Sequence, residues 1–152
     1  MTIPPKYRLK NTIKFPTTLI VGGLTKLGLE LAKNLTEQGG YVVLIDDVTP
    51  ELIEELEIFP SDAMISFLDY SSILYLDEDL RRLDYVFYFQ HEAKDFKEKI
   101  STQDFLTHSN YLDAVLSLTH KFEARFLLTT SIKAQQLLSN KNDLLDAFQD
   151  GK

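Results

Sequence analysis

The sequence predicts a doubly wound α/β domain: a parallel sheet of about five strands with helices on both faces. Three observations carry this. Short apolar runs alternate in regular order with segments of helical periodicity. Those runs are continuously apolar, as in "YVVLI" and "YVFYF", which is the pattern of strands buried on both faces. The first of them, "TTLIVGG", runs straight into glycine and then into an amphipathic helix, the start of a βαβ unit whose crossover should be right-handed.

The elements follow in sequence. "TTLIVGG" is a β-rich strand. From Thr25 to Gln38, Leu27, Leu31 and Leu35 recur every four residues with Ala32 beside them, and Gly39-Gly40 stops that helix. "YVVLI" is a strand closed by Asp46-Asp47, and "TPELIEELEIF" a helix with Pro50 in its first turn. "AMISFLD" reads as a third strand and "SSILYLDEDLRRL" as a short amphipathic helix. "YVFYF" is the fourth strand and "HEAKDFKEKISTQD" a polar loop with mixed charge. "FLTHSNYLDAVLSLTHKF" is a longer helix, "RFLLTTS" a fifth strand and "KAQQLLSNKNDLLDAFQ" a last helical segment.

At 152 residues the chain suits one domain with its own core. Residues 1–16, with Lys6, Arg8, Lys10, Lys14 and three prolines, read as a basic, solvated lead-in, and residues 17–152 as the domain proper. A net charge of −7 argues against a general nucleic-acid binder, which needs clustered Lys and Arg. No run approaches the roughly 18 apolar residues of a membrane span, and the N-terminus has no apolar signal region. The absence of cysteine removes disulfides and thiolate chemistry, so a cytoplasmic location is the expectation. The histidines His91, His108 and His120 have no metal-ligand spacing, and no G-x-S-x-G elbow is present.

The stretch that bears on function is "VGGLTKLGLEL". In a doubly wound sheet the first strand-to-helix turn faces the ligand crevice, where free amides and the helix dipole attract phosphate. Gly22 or Gly23 suits the tight turn and Gly28 the close packing of helix on strand. Thr25 stands where a second glycine would admit a pyrophosphate. Its hydroxyl and the Lys26 ammonium could each address a phosphate oxygen. The next strand ends in Asp46, 24 residues beyond Gly22, near the spacing of an acid that binds a ribose diol. The turn therefore reads as a dinucleotide-binding turn of Rossmann type. A flavodoxin-like fold with another ligand is a distant alternative.

Residues 17 to 135 resemble the N-terminal part of the extended short-chain dehydrogenases/reductases, the NAD-dependent epimerase/dehydratase family that acts mainly on nucleotide sugars. "VGGLTKLGLEL" falls on the family's glycine turn, with Thr25 and Lys26 in place of glycine and phenylalanine and Leu27 within it. "YVVLIDDV" resembles its second strand, which implies that Asp46, with Asp47 beside it, holds the adenosine ribose. "FLDYSS" implies that Asp69 reaches the adenine. "DYVFYFQHEA" places Phe89, Gln90 and His91 along the cofactor. "SNYLDAVLSL" resembles the helix that begins with asparagine, here Asn110. "RFLLTTSIKA" puts Thr129 near the nicotinamide and Ser131 on the catalytic serine or threonine.

The resemblance implies NAD rather than NADP, because a carboxylate repels a 2′-phosphate. It also implies a nucleotide-sugar substrate in the complete protein, and a homodimer paired through the helix from Phe105 to Phe122. The family's Tyr-x-x-x-Lys base is not found: no tyrosine follows Ser131, and Tyr111 is followed by Val115. Without that base the chain is catalytically incomplete. The expectation is the NAD-binding portion of a longer oxidoreductase. The alternative is a non-catalytic module for nucleotide sensing or protein interaction.

Overall fold

The computed structural model describes residues 3–89 and 102–129. Five parallel strands form one sheet: β1 (Thr17–Val21), β2 (Tyr41–Ile45), β3 (Ile65–Leu68), β4 (Tyr85–Phe89) and β5 (Arg125–Thr129). The four described α-helices are α1 (Lys26–Glu37), α2 (Pro50–Glu55), α3 (Leu76–Asp79) and α4 (Thr102–Lys121). The strand order is β3-β2-β1-β4-β5, the doubly wound Rossmann arrangement, and it rules out the flavodoxin-like order 2-1-3-4-5. Strand order reverses between β1 and β4, and the carboxyl ends of these strands are where a doubly wound sheet takes its ligand.

Around β1 and β2 both faces of the sheet are covered, as their unbroken apolar runs require, while Leu127 and Leu128 of the edge strand β5 are exposed. On one face Leu19, Val21, Tyr41, Val43, Ile45 and Val86 pack with Ile73, Leu76, Val115 and Leu118. On the other, Ile20, Val42, Leu44, Ile65 and Phe67 pack with Ala32, Leu56, Phe59 and Tyr7. Every residue of β1 and β2 is buried.

The connections differ from the sequence expectation in three places. "SSILYLDEDLRRL" is not one helix. A 3-10 helix over Tyr70–Tyr75 hands over to the four-residue α3, and the chain leaves helix at Leu80. The 3-10 repeat sets Ile73 and Leu76 on one side, and α3 is a single turn that carries Asp77, Glu78 and Asp79 side by side. The second predicted helix likewise stops at Glu55 and tightens to a 3-10 turn over Leu56–Ile58. The long helix begins at Thr102, three residues before the predicted Phe105. The last predicted helix, residues 133–149, lies outside the described residues.

The basic lead-in is a strap, not a solvated arm. Tyr7 is buried in the core cluster, and the short 3-10 turn Pro5–Tyr7 lies against β3. Met64 and Leu68 turn their carbonyls to Val42 and Asp46 of the β2 side, so the alternate Ile65 carbonyl faces the open edge. The Lys10 ammonium donates to that carbonyl at 2.8 Å. The Lys10 amide donates to the Tyr41 hydroxyl at 2.8 Å, and Tyr41 shares a 2.7 Å hydrogen bond with Ser66, whose hydroxyl donates to the Arg8 carbonyl. Further along, Arg82 pairs with Asp84 at 2.9 Å and donates to the Ile13 carbonyl. Lys10 is thus spent on the sheet's exposed edge, a common way of blunting an edge strand, while Lys6, Arg8 and Lys14 stay exposed. Burial raises the Tyr41 phenol above its ordinary value and lowers the Lys10 ammonium below its own.

Removing the Tyr41 hydroxyl strands the part-buried Lys10 amide and leaves the buried Ser66 hydroxyl with the Arg8 carbonyl alone. Tyr41→Phe should therefore lower unfolding stability by about 1–3 kcal/mol in urea denaturation, whereas a solvated lead-in would make the change neutral.

Candidate dinucleotide site

The turn after β1 is built on three glycines. Gly22 adopts φ +72°, a left-handed conformation that a side chain disfavours, and a Cβ there would come within 2.7 Å of the Phe89 carbonyl oxygen of β4. At Gly23 a Cβ would strike Leu44 and Ile20 side chains at 2.6 and 2.8 Å. At Gly28, inside the first turn of α1, it would collide with the Gly23 backbone, its Cα 2.9 Å away. Gly28 is what lets the helix start directly on top of the strand turn. The spacing left the tight turn to Gly22 or Gly23 and the close packing to Gly28; the left-handed φ falls on Gly22.

Thr25 does something the sequence reading did not assign to it. Its backbone is extended, at φ −92° and ψ 163°, so its side chain carries no left-handed strain. Its Oγ1 accepts the Gly28 amide at 3.0 Å, making Thr25 the N-cap of α1. The amides around the turn can then be accounted for one by one. Gly22 and Gly23 donate to the Ile45 carbonyl, at 2.7 and 3.3 Å. Leu24 donates to Asp46 Oδ2 at 3.0 Å. Gly28 donates to Thr25 Oγ1 and Leu29 to the Thr25 carbonyl. Three consecutive amides, of Thr25, Lys26 and Leu27, have no partner among the described residues, and all three residues are exposed. They open the positive end of the helix, with the exposed Lys26 ammonium beside them. Leu27 is 65% exposed, an unusual position for leucine on the first turn of a packed helix.

Asp46, at the tip of β2, is half buried and oriented by the backbone: besides Leu24, the Asp47 amide donates to its Oδ1 at 2.8 Å. A carboxylate offers about four lone-pair sites, so acceptor capacity remains. Asp47 is exposed next to it. Asp69, at the tip of β3, is the N-cap of the 3-10 helix. Its Oδ1 accepts from the Ser71 hydroxyl at 2.7 Å and from the Ser72 amide and hydroxyl at 3.1 and 2.9 Å. Burial alone would raise its pKa, but these hydrogen bonds outweigh it and hold the carboxyl below its ordinary value.

Phe89 is buried at the end of β4, where its carbonyl closes on Gly22. Asn110 sits exposed within α4, eight residues past its start rather than at its opening. Thr129 is the last residue of β5. Gln90, His91 and Ser131 lie outside the described residues.

Tyr70 was not singled out from the sequence. Its hydroxyl lies 3.5 Å from the position of a Cβ on Gly22, and its ring stacks on Tyr111 of α4, centroids 5.7 Å apart at 22°. Burial, then the charges of Asp46 and Asp47, then Tyr88 and Tyr111, push its phenol far above the ordinary range. The signal was present in "LDYSS", but a lone tyrosine after a strand reads as core. Among the described residues no three His, Cys, Asp or Glu side chains gather to hold a metal, and no helix is long and apolar enough to cross a membrane.

The fold has close counterparts among solved structures. The MalC reductase/Diels-Alderase of Malbranchea aurantiaca superposes with a TM-score of 0.58 at 15% identity, over 80% of this chain and 58% of that one. A short-chain dehydrogenase/reductase of Sinorhizobium meliloti gives 0.51 at 22%, over 80% and 64%. A ketoreductase domain from the bacillaene assembly line gives 0.52 at 17%, over 77% and 33%. No protein-family model and no curated protein sequence matches the chain. At these identities the likeness establishes the fold alone, a Rossmann-like parallel sheet. The chain spans less than two thirds of the length of each of these structures.

Two outcomes follow for the turn. Thr25→Ala should lose about 1 kcal/mol of stability through its cap, and Thr25→Ser should stay close to the native chain, as read by denaturant midpoints. Because the folded Asp69 carboxyl titrates below its unfolded value, its contribution is present above the ordinary Asp range and fades as pH falls through the folded value. Asp69→Asn should flatten the acid limb of a stability–pH curve as the pH falls below the ordinary Asp range.

Proposed function

We propose that the crevice at the carboxyl ends of β1, β2 and β4 binds a nicotinamide dinucleotide, NAD in preference to NADP. The observation that carries this reading is the set of three adjacent uncommitted amides at Thr25, Lys26 and Leu27, flanked by amides that are all spoken for. Such a nest suits phosphate oxygens. The Thr25 hydroxyl can donate its proton to a phosphate while its oxygen still caps Gly28, and the Lys26 ammonium adds charge. The apolar Leu27 side chain would lie against the bound molecule. The carboxylate of Asp46 accepts from ribose hydroxyls and, with Asp47, repels a 2′-phosphate.

Asp69, through the oxygen that is not engaged in its cap, would address the adenine. Phe89, Gln90, His91 and Asn110 would line the path of the cofactor. Thr129 and Ser131 would stand near the nicotinamide, which when bound supplies a hydride acceptor. The Rossmann-like fold shared with reductases supports this assignment. In a protein that also provides a Tyr-x-x-x-Lys base, the domain would serve an oxidoreductase of epimerase/dehydratase type acting on a nucleotide sugar.

A second reading, a non-catalytic module that senses nucleotides or binds protein, is favoured by one feature. Thr25 satisfies the first helical turn from within, so α1 is complete without a ligand.

Calorimetric titration with NAD and NADP decides between them. NAD should bind more tightly than NADP, and Asp46→Ala should weaken NAD by about 1–3 kcal/mol, the range for a hydrogen bond to a charged group. Tighter binding of NADP would overturn the preference. Absence of binding by either would leave the interaction-module reading standing.

A further inference from the structure

We propose that Asp46 is a positioning residue for the phosphate-binding turn as well as a contact for the sugar: by accepting the Leu24 amide it aims the three uncommitted amides that follow. The proposal rests on the dinucleotide reading above. It begins from a cost. A carboxylate close to a diphosphate repels it, so an acid at this place weakens phosphate binding unless it does something else for the turn. Its hydrogen bonds show what that is.

Main-chain support for the turn gives out at Leu24. Gly22 and Gly23 both donate to the carbonyl of Ile45, the last residue of β2, at 2.7 and 3.3 Å. The strand then ends, and the buried Leu24 finds its acceptor in the Asp46 side chain, whose Oδ2 lies 3.0 Å from its amide. Fixing that peptide group sets the direction in which the chain enters Thr25. The Thr25 cap on Gly28 fixes the far end, at 3.0 Å. The amides of Thr25, Lys26 and Leu27 lie between these two anchors. Asp46 is itself held: its amide donates to the Leu68 carbonyl of β3 at 3.2 Å, and the Asp47 amide donates to its Oδ1 at 2.8 Å. A line of hydrogen bonds thus runs from β3 through Asp46 to the turn. Asp47 provides the contrast. It is exposed, and its carboxylate accepts no hydrogen bond among the described residues, so it contributes charge without support.

The test uses inorganic pyrophosphate, which has phosphates and no sugar, followed on the amide resonances of isotopically labelled protein. Positioning and charge predict opposite signs. Asp46→Ala should weaken pyrophosphate by about 5–20-fold, the cost of re-ordering one loosened residue on binding. An acid that only repelled would make the same change tighten it. Asp46→Asn, whose side-chain oxygen still accepts while the charge is gone, should restore native affinity or better it. Asp47→Ala should leave pyrophosphate binding unchanged or tighter. Without ligand, Asp46→Ala should speed hydrogen exchange at Leu24 while Gly22 and Gly23 keep their protection, which separates a local release from general destabilisation. Native or tighter pyrophosphate binding by Asp46→Ala would overturn the proposal. So would a failure of Asp46→Asn to rescue it, or exchange that rises equally at Leu24, Gly22 and Gly23. Binding of NAD with the three amides unmoved by pyrophosphate would overturn it too. If the native chain binds neither NAD nor pyrophosphate, the dinucleotide reading itself fails, an outcome distinct from a silent Asp46→Ala.

Discussion

Helix α1 can begin where it does only because Gly28 has no side chain. A Cβ at that position would drive into the backbone of Gly23, and the helix would have to lift from the strand tip. The close approach places Thr25 within reach of the Gly28 amide and commits that amide to its cap. The turn is held from the other side by Asp46, which receives the Leu24 amide. Between the two fixed points lie the exposed residues Thr25, Lys26 and Leu27, whose amides have no partner among the described residues. Exposure costs them little, since water satisfies them, yet they stay aligned with the helix dipole. One missing methyl group thus determines the geometry of the whole proposed phosphate site.

The crevice is electrostatically two-sided. Lys26 stands at the start of α1, and Asp46 and Asp47 at the tip of β2, joined to the turn through the Leu24 amide. The chain as a whole carries a net charge of −7, which disfavours an anionic ligand at long range. At physiological salt, however, charges beyond about 8 Å are largely screened, so the local donors dominate. A ligand with a phosphate in its middle and a hydroxyl-rich sugar at its end matches this polarity. A simple polyanion would meet repulsion from the acid pair.

The strands and their parallel order were legible because continuous apolar runs have few other uses, and the βαβ logic of "VGGLTKLGLEL" followed from glycine spacing. The connections were less legible. An i, i+3 apolar pattern over "SSILYLDEDL" fits an α-helix and a 3-10 helix equally, and only the packed positions of Ile73 and Leu76 separate them. The lead-in was misread because its charge suggests solvation, while the structure uses the stem and ammonium of Lys10 to close an edge strand. At the site, Gly28 and Asp46 could be placed from spacing alone. Thr25 could not, since its role depends on a cap formed with a residue that spacing had assigned to packing. Tyr70 was invisible for a different reason: its neighbours Gly22 and Tyr111 are distant in sequence and meet only in the folded chain.

The central claim is that an anionic ligand is received by the backbone of Thr25, Lys26 and Leu27. Amide NMR of isotopically labelled protein during titration with NAD reads those groups one at a time. The account predicts downfield shifts concentrated at these three amides, with Gly22, Gly23 and Gly28 retaining the signatures of their internal hydrogen bonds. Saturating NAD that leaves the three resonances unmoved, or that perturbs only residues away from the turn, would contradict it.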